Sequence, residues 1–124
     1  MKTLFYSAIV ALFLSPAALR AQSAPANEIS ASLGVCSAAF NVTTADTRPI
    51  YGAKVDTHIQ YGLMGMKKLD LEAYTDANGH LTITQLPLTL KKPLYIHISK
   101  DGKEQIVEFH PEKSCQAKFD VVLY

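Results

Sequence analysis

The residues of this chain with most chemistry to offer are four histidines, His58, His80, His97 and His110, and a methionine pair, Met64 and Met66. A neutral imidazole serves as general base and as zinc or copper ligand, and thioethers are soft ligands suited to copper(I). His80 follows a turn glycine and His110 precedes Pro111, so both read as loop residues. His58 and His97 lie in stretches where apolar and polar residues alternate, which puts each imidazole on the outward face of a strand. No ready-made catalytic set accompanies them: GxSxG, HExxH, a Gly-rich phosphate loop and close Cys/His pairs are all absent.

The elements that must position these side chains follow from the same alternation. Cys36, Ala38, Phe40 and Val42 form one apolar file, and Ala53, Val55, Thr57, Ile59 and Tyr61 form a second against outward Lys54, Asp56, His58 and Gln60. Leu69, Leu71 and Ala73 face inward opposite Lys68, Asp70, Glu72 and Tyr74. After the turn "DANG", Leu81 and Ile83 mark a short strand ended by Pro87, and Leu94, Ile96 and Ile98 alternate with Tyr95, His97 and Ser99. "KDGK" is a hairpin signal because Asp-Gly accepts the positive φ of a tight turn. Val107 and Phe109, then Cys115 to Leu123, complete seven strands with no helical period among them. One-sided strands of this kind are buried by stacking two sheets, so the expectation is an all-β, Ig-like sandwich.

At 124 residues the chain has room for one domain. Residues 1–21, "MKTLFYSAIVALFLSPAALRA", read as a cleaved signal peptide with Lys2 ahead of an apolar run from Leu4 to Leu14. Ala21 is the favoured cut, with Ala18 and Ala24 as alternatives, and the run is too short to span a membrane. Residues 22–32 read as a flexible lead-in and 33–124 as the domain. Losing Lys2 and Arg20 lowers the basic count from 12 to 10 against 11 acids. A near-neutral chain without a basic patch speaks against nucleic acid. Export, to a periplasm or outside the cell, makes one disulfide of Cys36 and Cys115, both on inward files.

"RPIYGAKV" and "TDANGHLTITQLP" together resemble the carboxypeptidase regulatory-like domain, a family of transthyretin-like sandwiches. Pro49, Ile50, Gly52, Ala53 and Val55 carry the first half of the likeness; Thr75, Asp76, Asn78, Gly79, Leu81, Ile83, Leu86 and Pro87 carry the second. The resemblance implies a seven-stranded Greek-key sandwich and an accessory or interaction module without an active site. The wider fold also includes hydroxyisourate hydrolases. This chain lacks their first-strand His and their C-terminal Tyr-Arg-Gly-Ser, ending instead in "DVVLY".

Transthyretin-like topology makes the strands bearing His58 and His97 neighbours, about 5 Å apart. The expected binding face therefore comprises His58, Glu72, Tyr74, Tyr95 and His97, with His58 opposite His97 and Tyr95 and Asp56 one step along. The functional expectation is a non-enzymatic exported module, without a cofactor, that binds a protein or glycan partner on this face or through end loops. The alternative is a copper- or zinc-binding protein using His58, His97, Met64 and Met66. Met64 and Met66 otherwise serve as apolar cover, folding back over the end of the sandwich.

Overall fold

The computed structural model describes residues 27–124. The expected signal peptide, residues 1–21, lies outside the described residues. Eight strands form in chain order: β1 (Asn27–Ser30), β2 (Cys36–Thr44), β3 (Lys54–Tyr61), β4 (Lys67–Tyr74), β5 (His80–Leu86), β6 (Leu94–Lys100), β7 (Lys103–Phe109) and β8 (Gln116–Leu123). Two four-stranded sheets result, ordered β1-β5-β2-β8 and β4-β3-β6-β7. The molecule is thus an all-β sandwich. No helix among the described residues is long and apolar enough to cross a membrane.

Alternation explains seven of these strands. Cys36, Ala38, Phe40 and Val42 on β2 and Val55, Thr57 and Ile59 on β3 are buried, as are Leu81, Ile83, Ile96 and Ile98. Phe119 links the layers, stacking on Phe40 at 5.3 Å between centroids and meeting Phe109 of the other sheet edge-on at 6.3 Å. Thr57 is the polar exception on β3, fully buried, and its hydroxyl donates to the Tyr95 carbonyl at 2.8 Å. That bond offsets the cost of burying the hydroxyl.

The eighth strand corrects the seven-stranded expectation. Asn27–Ser30, placed in the lead-in, pairs in parallel with β5 from Asn27↔Leu81 to Ser30↔Thr84. "NEIS" holds one large apolar residue, too few to show a period. Its order comes from the backbone ladder and from the Asn27 amide, which donates to the Tyr74 carbonyl at 2.6 Å.

Two turns lock the sheets together. Thr75, buried to 1%, accepts from the Ala53 N–H at 2.9 Å and donates its hydroxyl to the Ile50 carbonyl at 2.6 Å. The 49–53 loop and the 75–79 turn are therefore one unit. Within it the Asp76 carboxylate accepts from the Asn78 and His80 N–H groups, each at 2.9 Å. Burial alone would raise its pKa, but those bonds, with one from the Asn27 backbone, outweigh it and hold the value low. Gly79 has φ 76°, and a side chain there would run into the Val42 carbonyl oxygen.

Cys36 and Cys115 form the expected disulfide, 79 residues apart in sequence. β2 and β8 are parallel neighbours in register from Ser37↔Gln116 to Thr44↔Leu123. The Ser37 N–H also donates to the Cys115 carbonyl at 2.7 Å, so the sheet itself presents the two cysteines to each other.

Candidate active-site cleft

The outer face of the second sheet carries the polar files of four strands. Its register is set by the buried files, with Val55 opposite Ile98 and Thr57 opposite Ile96. His97 consequently faces Asp56, and His58 lies one step past the last paired residues, beside Tyr95. The expected His58–His97 pair is therefore offset by two residues into a diagonal, a separation of about 7–8 Å between such positions. Sequence parity gave the face correctly, but register depends on strand pairing and was not readable from alternation.

Each imidazole is drawn to a different edge. His58 Nδ1 lies 2.6 Å from Asp70 of β4, and His97 Nδ1 lies 3.0 Å from Glu104 of β7. The hydrogen bond and charge of Asp70, with a smaller contribution from Asp56, raise the His58 pKa against an opposing effect of desolvation. Tyr95 donates its hydroxyl to Glu108 at 3.2 Å and Tyr74 donates to Glu72 at 2.7 Å, and each carboxylate raises the pKa of its phenol.

An open cleft of about 660 Å³ lies where this face meets one end of the sandwich, between the loop 62–66 and the link 89–93. His58, Tyr95 and His97 form its polar side, and Tyr61, Leu90 and Pro93 form much of its apolar side. Met64 lines it and Met66 does not; Glu72 and Tyr74 lie farther along β4, engaged with each other. Leu90, Lys91 and Lys92 complete the rim. The segment "LPLTLKKP", residues 86–93, thus supplies the second wall of the cleft, through residues 89–93.

The methionines do not cover the sandwich end as expected. Leu63, Met64 and Met66 are 84, 72 and 78% exposed. A single 3-10 turn at Leu63–Gly65, with positive φ at Gly62, Met64 and Gly65, carries the loop outward.

The alternative copper or zinc site is not assembled either. Among the described residues no three His, Cys, Asp or Glu side chains are grouped so as to hold a metal ion, and residues 1–26 contain none of these four types. His58 and His97 turn to opposite edge strands, which separates the two donors that such a site needs.

No family model and no curated protein matches the chain. Among solved structures, a mutant catechol 1,2-dioxygenase from Acinetobacter radioresistens is similar over 82% of this chain, with 15% identity and a TM-score of 0.53. A 3-chlorocatechol 1,2-dioxygenase from Rhodococcus opacus is similar over 84%, again at 15% identity, with a TM-score of 0.50. The chain spans 59% of the length of the first and 68% of the second. Identity this low shows a shared fold alone. It nevertheless corrects the expectation of a non-enzymatic module binding a protein or glycan, with metal binding as its alternative. That expectation took a family resemblance and missing motifs as grounds for excluding catalysis, and the sandwich is one that dioxygenases use.

Proposed function

We propose that the chain is an exported, periplasmic or secreted, enzyme that takes a small phenolic compound of the catechol class in the cleft beside His58. The observation that carries this reading is the His58–Asp70 pair at the cleft, with Tyr95 next in the row. Asp70 engages Nδ1, which leaves Nε2 as the nitrogen able to take a proton from a ligand hydroxyl. The products of that transfer are a phenolate and an imidazolium, the latter stabilised by Asp70. Lys91 and Lys92 at the rim offer positive charge to the phenolate, and Tyr61, Leu90 and Pro93 offer apolar contact to its ring. The catechol names of the two fold neighbours support the substrate class.

Oxygen insertion would need a metal or organic redox centre, and among the described residues no three His, Cys, Asp or Glu side chains are grouped to hold a metal ion. The reaction class supported is therefore acid–base chemistry on a hydroxylated ring. The disulfide supports an oxidising compartment. We also retain as a proposal membership of the carboxypeptidase regulatory-like family, supported by the turn roles of Asp76 and Gly79 within its matched pattern.

The test is an NMR titration of the oxidised protein with catechol and with 4-hydroxybenzoate, joined to a turnover screen of simple phenols. Shifts centred on His58, Tyr95 and Leu90, lost in His58→Ala, are expected. Neither binding nor turnover at millimolar ligand sinks the assignment.

A further inference from the structure

We propose that the end of the sandwich around the cleft mouth docks on an anionic phospholipid bilayer. This goes beyond the small-molecule reading and does not depend on it. Strand directions bring the segments 33–35, 62–66, 87–93 and 110–115 to one end of the molecule, since Cys36 pairs with Leu86 and Tyr61 with Lys67. Most of the large, strongly exposed aliphatic side chains gather there. Val35 is 75% exposed, Leu88 is 47% exposed, and the tip Leu63, Met64 and Met66 is more exposed than Leu88. Solvated apolar side chains are normal singly, but a cluster on one loop tip and its neighbours marks an interaction surface.

Charge selects the occupant. Lys67, Lys68, Lys91, Lys92 and Lys113 are all exposed at this end, and Glu112 is the one acid in its loops. Residues 60–69 and 85–95 contain no Asp or Glu. The nearest acid beyond the tip, Asp70, is paired with His58. By contrast Asp56, Asp70, Glu72 and Glu104 lie on the sheet's outer face, set back from the tip, and Glu108, opposite Tyr95 at this end, is engaged by the Tyr95 hydroxyl and by His110. A partner protein with a matching acidic rim would satisfy the lysines, but an apolar tip ringed by unpaired lysines also matches a bilayer at two depths. Leu and Met side chains reach the boundary of headgroups and acyl chains, while lysine stems lie along apolar surface and keep their ammonium groups among the phosphates. Long lysines tolerate the varied headgroup positions of a fluid surface, where a protein rim would require fixed geometry. The surface so assigned is peripheral: it rests on the membrane and does not cross it.

The experiment is co-sedimentation of the oxidised protein, residues 22–124, with vesicles of phosphatidylcholine alone and of phosphatidylcholine mixed with phosphatidylglycerol. Binding is expected with phosphatidylglycerol, absent with phosphatidylcholine alone, and weakened by added salt. Each lysine near such a surface strengthens partitioning about fivefold, so Lys91→Gln/Lys92→Gln weakens it about 25-fold. Leu63→Ser/Met64→Ser/Met66→Ser, at exposed positions, lowers binding further without unfolding the protein, as thermal melting checks. Lys103→Gln, beside the hairpin at the opposite end, leaves binding unchanged. Absence of binding to either vesicle overturns the proposal, as does binding that ignores the tip and lysine variants. Self-association abolished by the tip variant, without vesicle binding, assigns the surface to a second copy instead. Phenol titration is read without vesicles, so failure of the cleft assignment and failure of this one are separable.

Discussion

Replacing both Cys36 and Cys115 by Ala tests where the stability of this small domain resides. Cross-linking residues 79 apart removes loop-closure freedom from the unfolded chain. The usual relation gives about 15 cal/mol/K, or about 4.5 kcal/mol at 25 °C. Domains of this size hold about 5–15 kcal/mol in all, so the bridge is a large fraction of the total. Little of that loss should fall on the folded side. The eight-pair β2–β8 ladder and the Ser37 N–H to Cys115 carbonyl bond persist without sulfur, and Cys36 sits fully buried where Ala leaves only a small void. Urea unfolding of the oxidised protein, the reduced protein and the double Ala variant measures the effect. The expected result is a loss of about 4 kcal/mol and a melting temperature lowered by roughly 20 °C. The slope against urea should also rise, because an unlinked chain exposes more surface when unfolded. A loss below about 1 kcal/mol, or a full loss with an unchanged slope, refutes the assignment of the effect to the unfolded state.

Three further outcomes follow from the turns and the cleft. Gly79→Ala combines a positive φ with a collision at the Val42 carbonyl, and should lower stability by about 2–4 kcal/mol in chemical unfolding. Asp76 has a depressed folded pKa, so its contribution is complete above its unfolded value and is lost as pH falls through the folded one. Asp76→Asn should therefore flatten the acid limb of a stability profile, and an unchanged limb would count against the three backbone bonds. His58 has a raised folded pKa, so its ion pair with Asp70 is present below the ordinary histidine value and disappears as pH rises through the folded one. An NMR titration should place the His58 midpoint lower in Asp70→Asn than in the parent, and equal midpoints would remove Asp70 as the cause.

Much of the fold was legible because a buried sheet face imposes a strict period of two. Ile96, Ile98 and Val55 announce their faces by spacing alone, and with them the outward parity of His58, Tyr95 and His97. β1 was not legible, since four residues pairing through the backbone leave no side-chain pattern. Nor was the His58–His97 offset, which depends on how Thr57 and Ile96 meet across strands that are distant in sequence. The cleft's second wall was hidden for a different reason: Leu90 and Pro93 belong to a loop whose path depends on the β5 and β6 ends it joins. The exposure of Met64 and Met66 likewise reflects a local turn with positive φ at a non-glycine residue, which residue type does not announce. Excluding catalysis from missing motifs was the weakest inference, because motifs register chemistry held on contiguous residues, and His58 and Asp70 here are brought together by strand pairing.

The parallel union of β2 and β8 also constrains the order of assembly. β2 is synthesised early and needs the last strand as its neighbour on one side, so the first sheet cannot close until residues 116–123 are available. Pairing at such long range delays the productive contacts. The second sheet and the β2–β5 pair need no part of residues 116–123, so the step that waits for β8 is the closing of this one edge of β2 and, with it, the bridge between Cys36 and Cys115.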